Sequence, residues 1–106
     1  MALIKTLTRY DAFLYPDKGK QNGRINLYCD DYKLYLLFND PSEALPANTF
    51  NTTTKIGLAY QPIAQFERYL DLIRNEKPIR VTFRPEDAPP TFVVYCAGET
   101  PGEGEI

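Results

Sequence analysis

The chain has no histidine, no tryptophan and only two cysteines in 106 residues, and these absences remove whole classes of chemistry. Without histidine there is no Ser-His-Asp or Cys-His arrangement, no imidazole to serve as general base and none of the usual zinc ligand sets. Cys29 and Cys96 lie far apart on apolar, strand-like segments. They read as buried free thiols rather than as a disulfide or a metal site. No glycine-rich loop followed by Lys-Ser/Thr is present to cradle phosphates.

Long hydrophobic runs are missing too. No segment approaches the roughly 20 apolar residues of a membrane-spanning helix, and the first ten residues break their apolar character with Lys5 and Arg9, unlike a secretory signal. The expectation is a cytoplasmic protein with no membrane contact, in which the Asn51-Thr52-Thr53 match to a glycosylation acceptor has no consequence. The adjacent carboxylates Asp30-Asp31 and Glu86-Asp87 fall in turn-like segments without further ligands nearby in sequence. They are read as turn residues, so no metal, no cofactor and no catalytic group is expected, and enzyme is the weakest class.

What is present describes one small domain. Hydrophobic residues make up 43% of the chain, enough for one core, and eight Tyr and six Phe favour strands. Nine Pro and six Gly lie mostly between the apolar runs and punctuate turns. The formal charge of −2 hides an asymmetry, because Glu99, Glu103 and Glu105 all fall in the last eight residues. Fourteen acidic side chains less these three leaves eleven, against 12 basic ones over residues 1–98. Residues 1–97 are therefore read as a near-neutral α+β domain and residues 98–106 as a disordered acidic tail.

The clearest patterns are two hairpins. Ile25, Leu27 and Cys29 alternate with Arg24, Asn26 and Tyr28; after Asp30-Asp31, Leu34, Leu36 and Phe38 alternate with Lys33 and Tyr35. This register sets Leu27 opposite Leu34 and Tyr28 opposite Lys33. In the second hairpin Ile79, Val81 and Phe83 alternate with Arg80 and Arg84, and Phe92, Val94 and Cys96 with Val93 and Tyr95. Its register pairs Phe83 with Phe92 and Arg80 with Tyr95.

The remaining segments are less regular. Residues 3–15 read as a strand region with a bend near Arg9 to Asp11, Asp17 to Gly23 as a polar loop with an Asn-Gly turn signal, and Thr52 to Tyr60 as a strand with Ile56, Leu58 and Tyr60 on its core face. Pro62 suits the first position of a helix whose apolar face is Ile63, Phe66, Leu70 and Ile73 and which stops near Asn75, before Pro78. The fold expected is an antiparallel sheet of about five to six strands with one helix on one face, in the order β-β-β-β-α-β-β.

The outer face of that sheet carries Arg24, Tyr28, Lys33, Tyr35, Arg80, Arg84 and Tyr95, with Asn26 and Lys55 beside them. Cations that meet phosphates and flat rings on which bases stack are what a sequence-tolerant single-strand binder needs. The same residues are also ordinary on the solvent face of an antiparallel sheet. The order of strands, helix and hairpin resembles, in outline, the single-stranded-DNA-binding sheets of the transcriptional-coactivator and whirly families. No residues are carried over from that resemblance. The functional expectation is a non-enzymatic binding module for single-stranded nucleic acid; the alternative is a homo-oligomeric or other protein-protein contact through the same face.

Overall fold

The hairpin of β3 (Gln21–Cys29) and β4 (Tyr32–Asn39) is the centre of the structure. The computed structural model describes residues 2–14, 21–40 and 44–96. Leu27 pairs with Leu34, Ile25 with Leu36 and Tyr28 with Lys33, the register that the alternation predicts. Asp30 turns the chain with φ 58°, in the left-handed region that aspartate tolerates better than most residues.

Around it the described residues form eight strands, one α-helix and one 3-10 turn, so the fold is α+β with strands dominant. In place of the single antiparallel sheet expected there are two sheets, and one pair of strands is parallel. The larger sheet has the order β2 (Arg9–Leu14), β3, β4, β6 (Ile56–Pro62), β5 (Thr49–Asn51); the smaller is β1 (Leu3–Thr6), β7 (Ile79–Arg84), β8 (Thr91–Cys96). Chain order is therefore six strands, the helix α1 (Phe66–Asn75) and two strands.

The expected bend in the first strand region lies at Leu7 and Thr8, where the chain changes sheets. The Leu7 N–H donates to Ile79 O in the small sheet and the Thr8 N–H to Tyr28 O in the large one. Asn22-Gly23 is not a turn: both residues belong to β3, and the register shifts between Gln21 and Gly23, which marks a bulge. A Cβ at Gly23 would lie 3.0 Å from the Phe66 ring, so the glycine lets the helix approach the strand.

The segment read as one strand from Thr52 begins with a turn. Thr53 and Thr54 donate their N–H groups to Asn51 Oδ1, and Lys55, with φ 61°, delivers the chain into β6. β6 then runs parallel to β4, with Gly57 opposite Leu34 and Ala59 opposite Leu36. Ile56, Leu58 and Tyr60, expected on the core face, thus lie on the outer face. The small sheet comes so close that only small residues fit beneath it. A Cβ at Gly57 would be 2.6 Å from the Phe92 ring.

The core lies between the sheets and under the helix. Ile25, Leu27, Leu34, Leu36 and Phe38 of the large sheet, Ile79, Val81 and Phe83 of the small one, and Phe66 and Ile73 of the helix form one buried cluster, with Phe92 and Val94 packed against it. Each fully buried side chain of this size contributes about 1.5–3 kcal/mol. Phe38 meets Phe66 edge-on at 5.1 Å, and Tyr32 of β4 meets Phe83 at 5.4 Å. The helix follows a 3-10 turn at Ile63–Gln65, so Pro62 ends a strand rather than opening the helix. Glu67, Arg68, Asp71 and Arg74 are exposed as the periodicity predicts, and Asn75 is the last helical residue. The tail expected at residues 98–106 lies outside the described residues, as do residues 17–20 of the polar loop.

Candidate nucleic-acid interface

Because the two sheets pack inner face to inner face, their outer faces point in opposite directions. The residues read from sequence as one surface are therefore divided. Arg24, Tyr28, Lys33 and Tyr35 lie on the outer face of the large sheet, whereas Arg80, Arg84 and Tyr95 lie on that of the small sheet. Lys55 sits at the β5–β6 turn, where its Nζ holds Asp31 Oδ2 at 2.8 Å. That contact lowers the Asp31 pKa and raises that of Lys55, in both cases chiefly through the side-chain hydrogen bond.

Strand pairing organises the large outer face into rows. Arg9 of β2 lies opposite Tyr28, and Tyr28 opposite Lys33 and then Ile56. In the next row Asp11, Asn26, Tyr35 and Leu58 follow one another. Phe13, Arg24, Leu37 and Tyr60 make the third. One end of the surface is thus cationic and aromatic, and the β6 end is apolar.

Each tyrosine at the cationic end carries a guanidinium. The Arg9 Cζ stands 4.2 Å from the Tyr28 ring centre and the Arg24 Cζ 4.6 Å from that of Tyr35, within cation-π range. A polar network underlies them. Arg24 Nε donates to Asn26 Oδ1 at 2.7 Å, and the Tyr28 hydroxyl donates to Asp11 Oδ2 at 3.0 Å. Asn26 is only 7% exposed, so this network fixes the rotamers of the groups above it. Arg9 also approaches Asp11 at 3.8 Å, an exposed contact of small energetic weight.

Arg9 and Asp11 were not among the residues that the sequence singled out. The signal for them was weak, because alternation is poor across residues 3–15 and nothing local says that this segment pairs with β3. Arg9 also lines a cleft of about 360 Å³ where β1 crosses to β2, together with Lys77, Leu7, Ile73 and Ile79.

On the opposite side Arg80 and Arg84 are exposed and Tyr95 half-buried. Between them runs the row Ile4, Thr82, Val93, whose two apolar members are 59% and 48% exposed.

Among the described residues no three His, Cys, Asp or Glu side chains converge as a metal site would require, and no helix is long and apolar enough to cross a membrane. Cys29 is buried and Cys96 half-buried, the Cys96 Sγ donating to Lys77 O at 3.7 Å. Burial, reinforced by Asp30 and partly opposed by Lys5, pushes the Cys29 thiol up to about 11. Comparison with protein-family models, with curated proteins and with solved structures finds no match for the chain.

Proposed function

We propose that the protein is a non-enzymatic binding module whose large outer face takes single-stranded nucleic acid weakly and with little sequence preference. The observation that carries this reading is the row Arg9–Tyr28–Lys33 beside the stacked pair Arg24 and Tyr35. Cations flank aromatic rings at the spacing of adjacent strands, an arrangement in which phosphates and bases are met together.

The guanidinium groups already over the rings have to move for a base to stack. An exposed cation-π contact is worth about 0.5–1 kcal/mol, whereas a stacked base contributes about 1–3 kcal/mol. The exchange favours the base, and the displaced arginines become available to phosphates. Arg80, Arg84 and Tyr95 belong to the other side of the molecule and do not share this site.

Fluorescence anisotropy with a labelled oligonucleotide tests the proposal. Affinity is expected to fall steeply with salt, to weaken in Tyr35→Ala without unfolding, and to strengthen on truncation after Ala97, which removes Glu99, Glu103 and Glu105. Absence of binding to DNA and RNA oligonucleotides at low salt, in full-length and truncated protein alike, overturns it.

A second reading, self-association, is favoured by the exposed Ile4 and Val93 of the small sheet. Such a contact tolerates salt, which separates it from the first reading.

A further inference from the structure

Where β1 crosses to β2 the chain leaves a cleft of about 360 Å³, and burial deepens from its mouth to its floor. Arg9 and Lys77 are exposed at the mouth, Leu7 and Tyr10 are half-buried along the walls, and Ile73 and Ile79 are buried at the floor. Backbone hydrogen bonds fix both walls. The Leu7 N–H donates to Ile79 O at 2.9 Å and the Thr8 N–H to Tyr28 O at 2.8 Å, which ties the crossing to both sheets. On the other side the Glu76 N–H donates to Leu72 O at 3.2 Å and closes the last turn of α1 before the chain passes Lys77 into β7. The cleft is therefore built into the fold, and its volume falls at the lower end of the range of small-molecule sites.

The charge that lines it is of one sign. Arg9 and Lys77 contribute, and no carboxylate does. Among the described residues the Lys77 ammonium group meets no carboxylate, and Arg9 meets Asp11 only at 3.8 Å, an exposed contact that solvent screens. The C-terminal end of α1 brings a partial negative charge of about half a unit, which two full cations outweigh. The Tyr10 ring packs against the core cluster, yet its hydroxyl has no hydrogen-bond partner among the described residues. Nucleic-acid binding on the large outer face uses Arg9 but gives no role to Lys77, to the Tyr10 hydroxyl or to the apolar floor.

We propose that this cleft binds a small amphipathic anion, a carboxylate on an apolar body of the size of a medium-chain fatty acid. The apolar body lies on Leu7, Ile73 and Ile79, and the carboxylate stays at the mouth between Lys77 and Arg9, with the Tyr10 hydroxyl as a further donor. Charge complementarity selects an anion, the apolar floor favours an organic one over an inorganic one, and the volume admits one short chain rather than an extended peptide. Arg9 is shared with the outer face, where its Cζ stands 4.2 Å from the Tyr28 ring centre. Lys77 and the floor lie off that face, so this site goes beyond the nucleic-acid reading and does not depend on it.

A titration of the full chain followed by amide chemical shifts in NMR tests it, with octanoate as the probe. Octanol supplies the body without the charge, and acetate the charge without the body. Octanoate is expected to give saturable shifts centred on residues 7–10, 73, 77 and 79, and the other two to bind several-fold more weakly. Lys77→Gln, at an exposed position outside the core cluster, is expected to weaken octanoate about two- to fivefold, the range of an exposed ion pair, and to leave octanol unchanged. A merely structural role for Lys77 would move both. Octanoate shifts that do not saturate, or that centre on Ile56, Leu58 and Tyr60 at the apolar end of the large outer face, overturn the site. Octanol or acetate binding as tightly as octanoate, or a loss in Lys77→Gln common to octanoate and octanol, overturns the recognition of an amphipathic anion.

Discussion

Phe92 of β8 lies so close over Gly57 of β6 that a methyl group at Gly57 would stand 2.6 Å from its ring, and this one approach sets both the spacing of the sheets and the orientation of β6. The Phe92 ring is held in turn by Phe83, edge-on at 5.7 Å. It cannot withdraw without losing that contact.

Gly57→Ala is therefore expected to destabilise the fold although alanine suits a strand better than glycine. Overpacking costs about 1–3 kcal/mol, and the conformational gain returns roughly 0.5–1 kcal/mol. Urea denaturation should show a net loss, and Gly57→Ala combined with Phe92→Leu should lose less than the sum of the two single changes. Additive losses would mean that the two residues are not coupled.

Cys29 supplies a pH prediction. Its thiol is raised from the ordinary 9.0 to about 11, so the unfolded chain releases this proton at lower pH than the folded one does. The stabilisation is complete below pH 9 and is lost as pH rises from there through about 11. Burial raises Tyr69 in the same direction. Denaturation midpoints should fall over this range, and Cys29→Ala should flatten the part due to the thiol. At pH 8 a thiol reagent should modify Cys96 readily and Cys29 only on unfolding.

Tyr28→Phe isolates the polar network beneath the outer face. Removing the hydroxyl leaves Asp11 without its 3.0 Å donor, at an expected cost of about 0.5–1.5 kcal/mol by urea denaturation. The ring stays, so Arg9 keeps its cation-π partner. An unchanged stability would show that water replaces the hydroxyl without loss.

Much of this structure was legible in the sequence, and the limits have a physical cause. Both hairpins were readable to the residue, because alternation and turn residues encode a pairing locally: Leu27 with Leu34, Phe83 with Phe92, Arg80 with Tyr95. The face of β6 was not. In Ile56-Gly57-Leu58-Ala59-Tyr60 the bulky residues suggest the core, but the room on that side is taken by Phe92, a residue far along the chain. The candidate surface failed in the same way. Each hairpin shows one polar, aromatic face, and nothing local reveals that the two hairpins belong to sheets facing opposite ways.

That division makes the binding proposal testable residue by residue. If nucleic acid lies on the large outer face, Lys33→Gln removes a phosphate contact, and the slope of log affinity against log salt should fall by about 0.7. Arg80→Gln, on the other side of the molecule, should leave affinity and slope unchanged. Both residues lie outside the buried core cluster, so circular dichroism should be the same for the two variants. Equal losses in the two would require a ligand that wraps both faces, and a loss confined to Arg80→Gln would move the site to the small sheet. Lys33 is the informative position because Tyr28 and Ile56 flank it across the strands, between the cationic and apolar halves of the face. A strand of nucleic acid running from Arg9 toward β6 has to pass it.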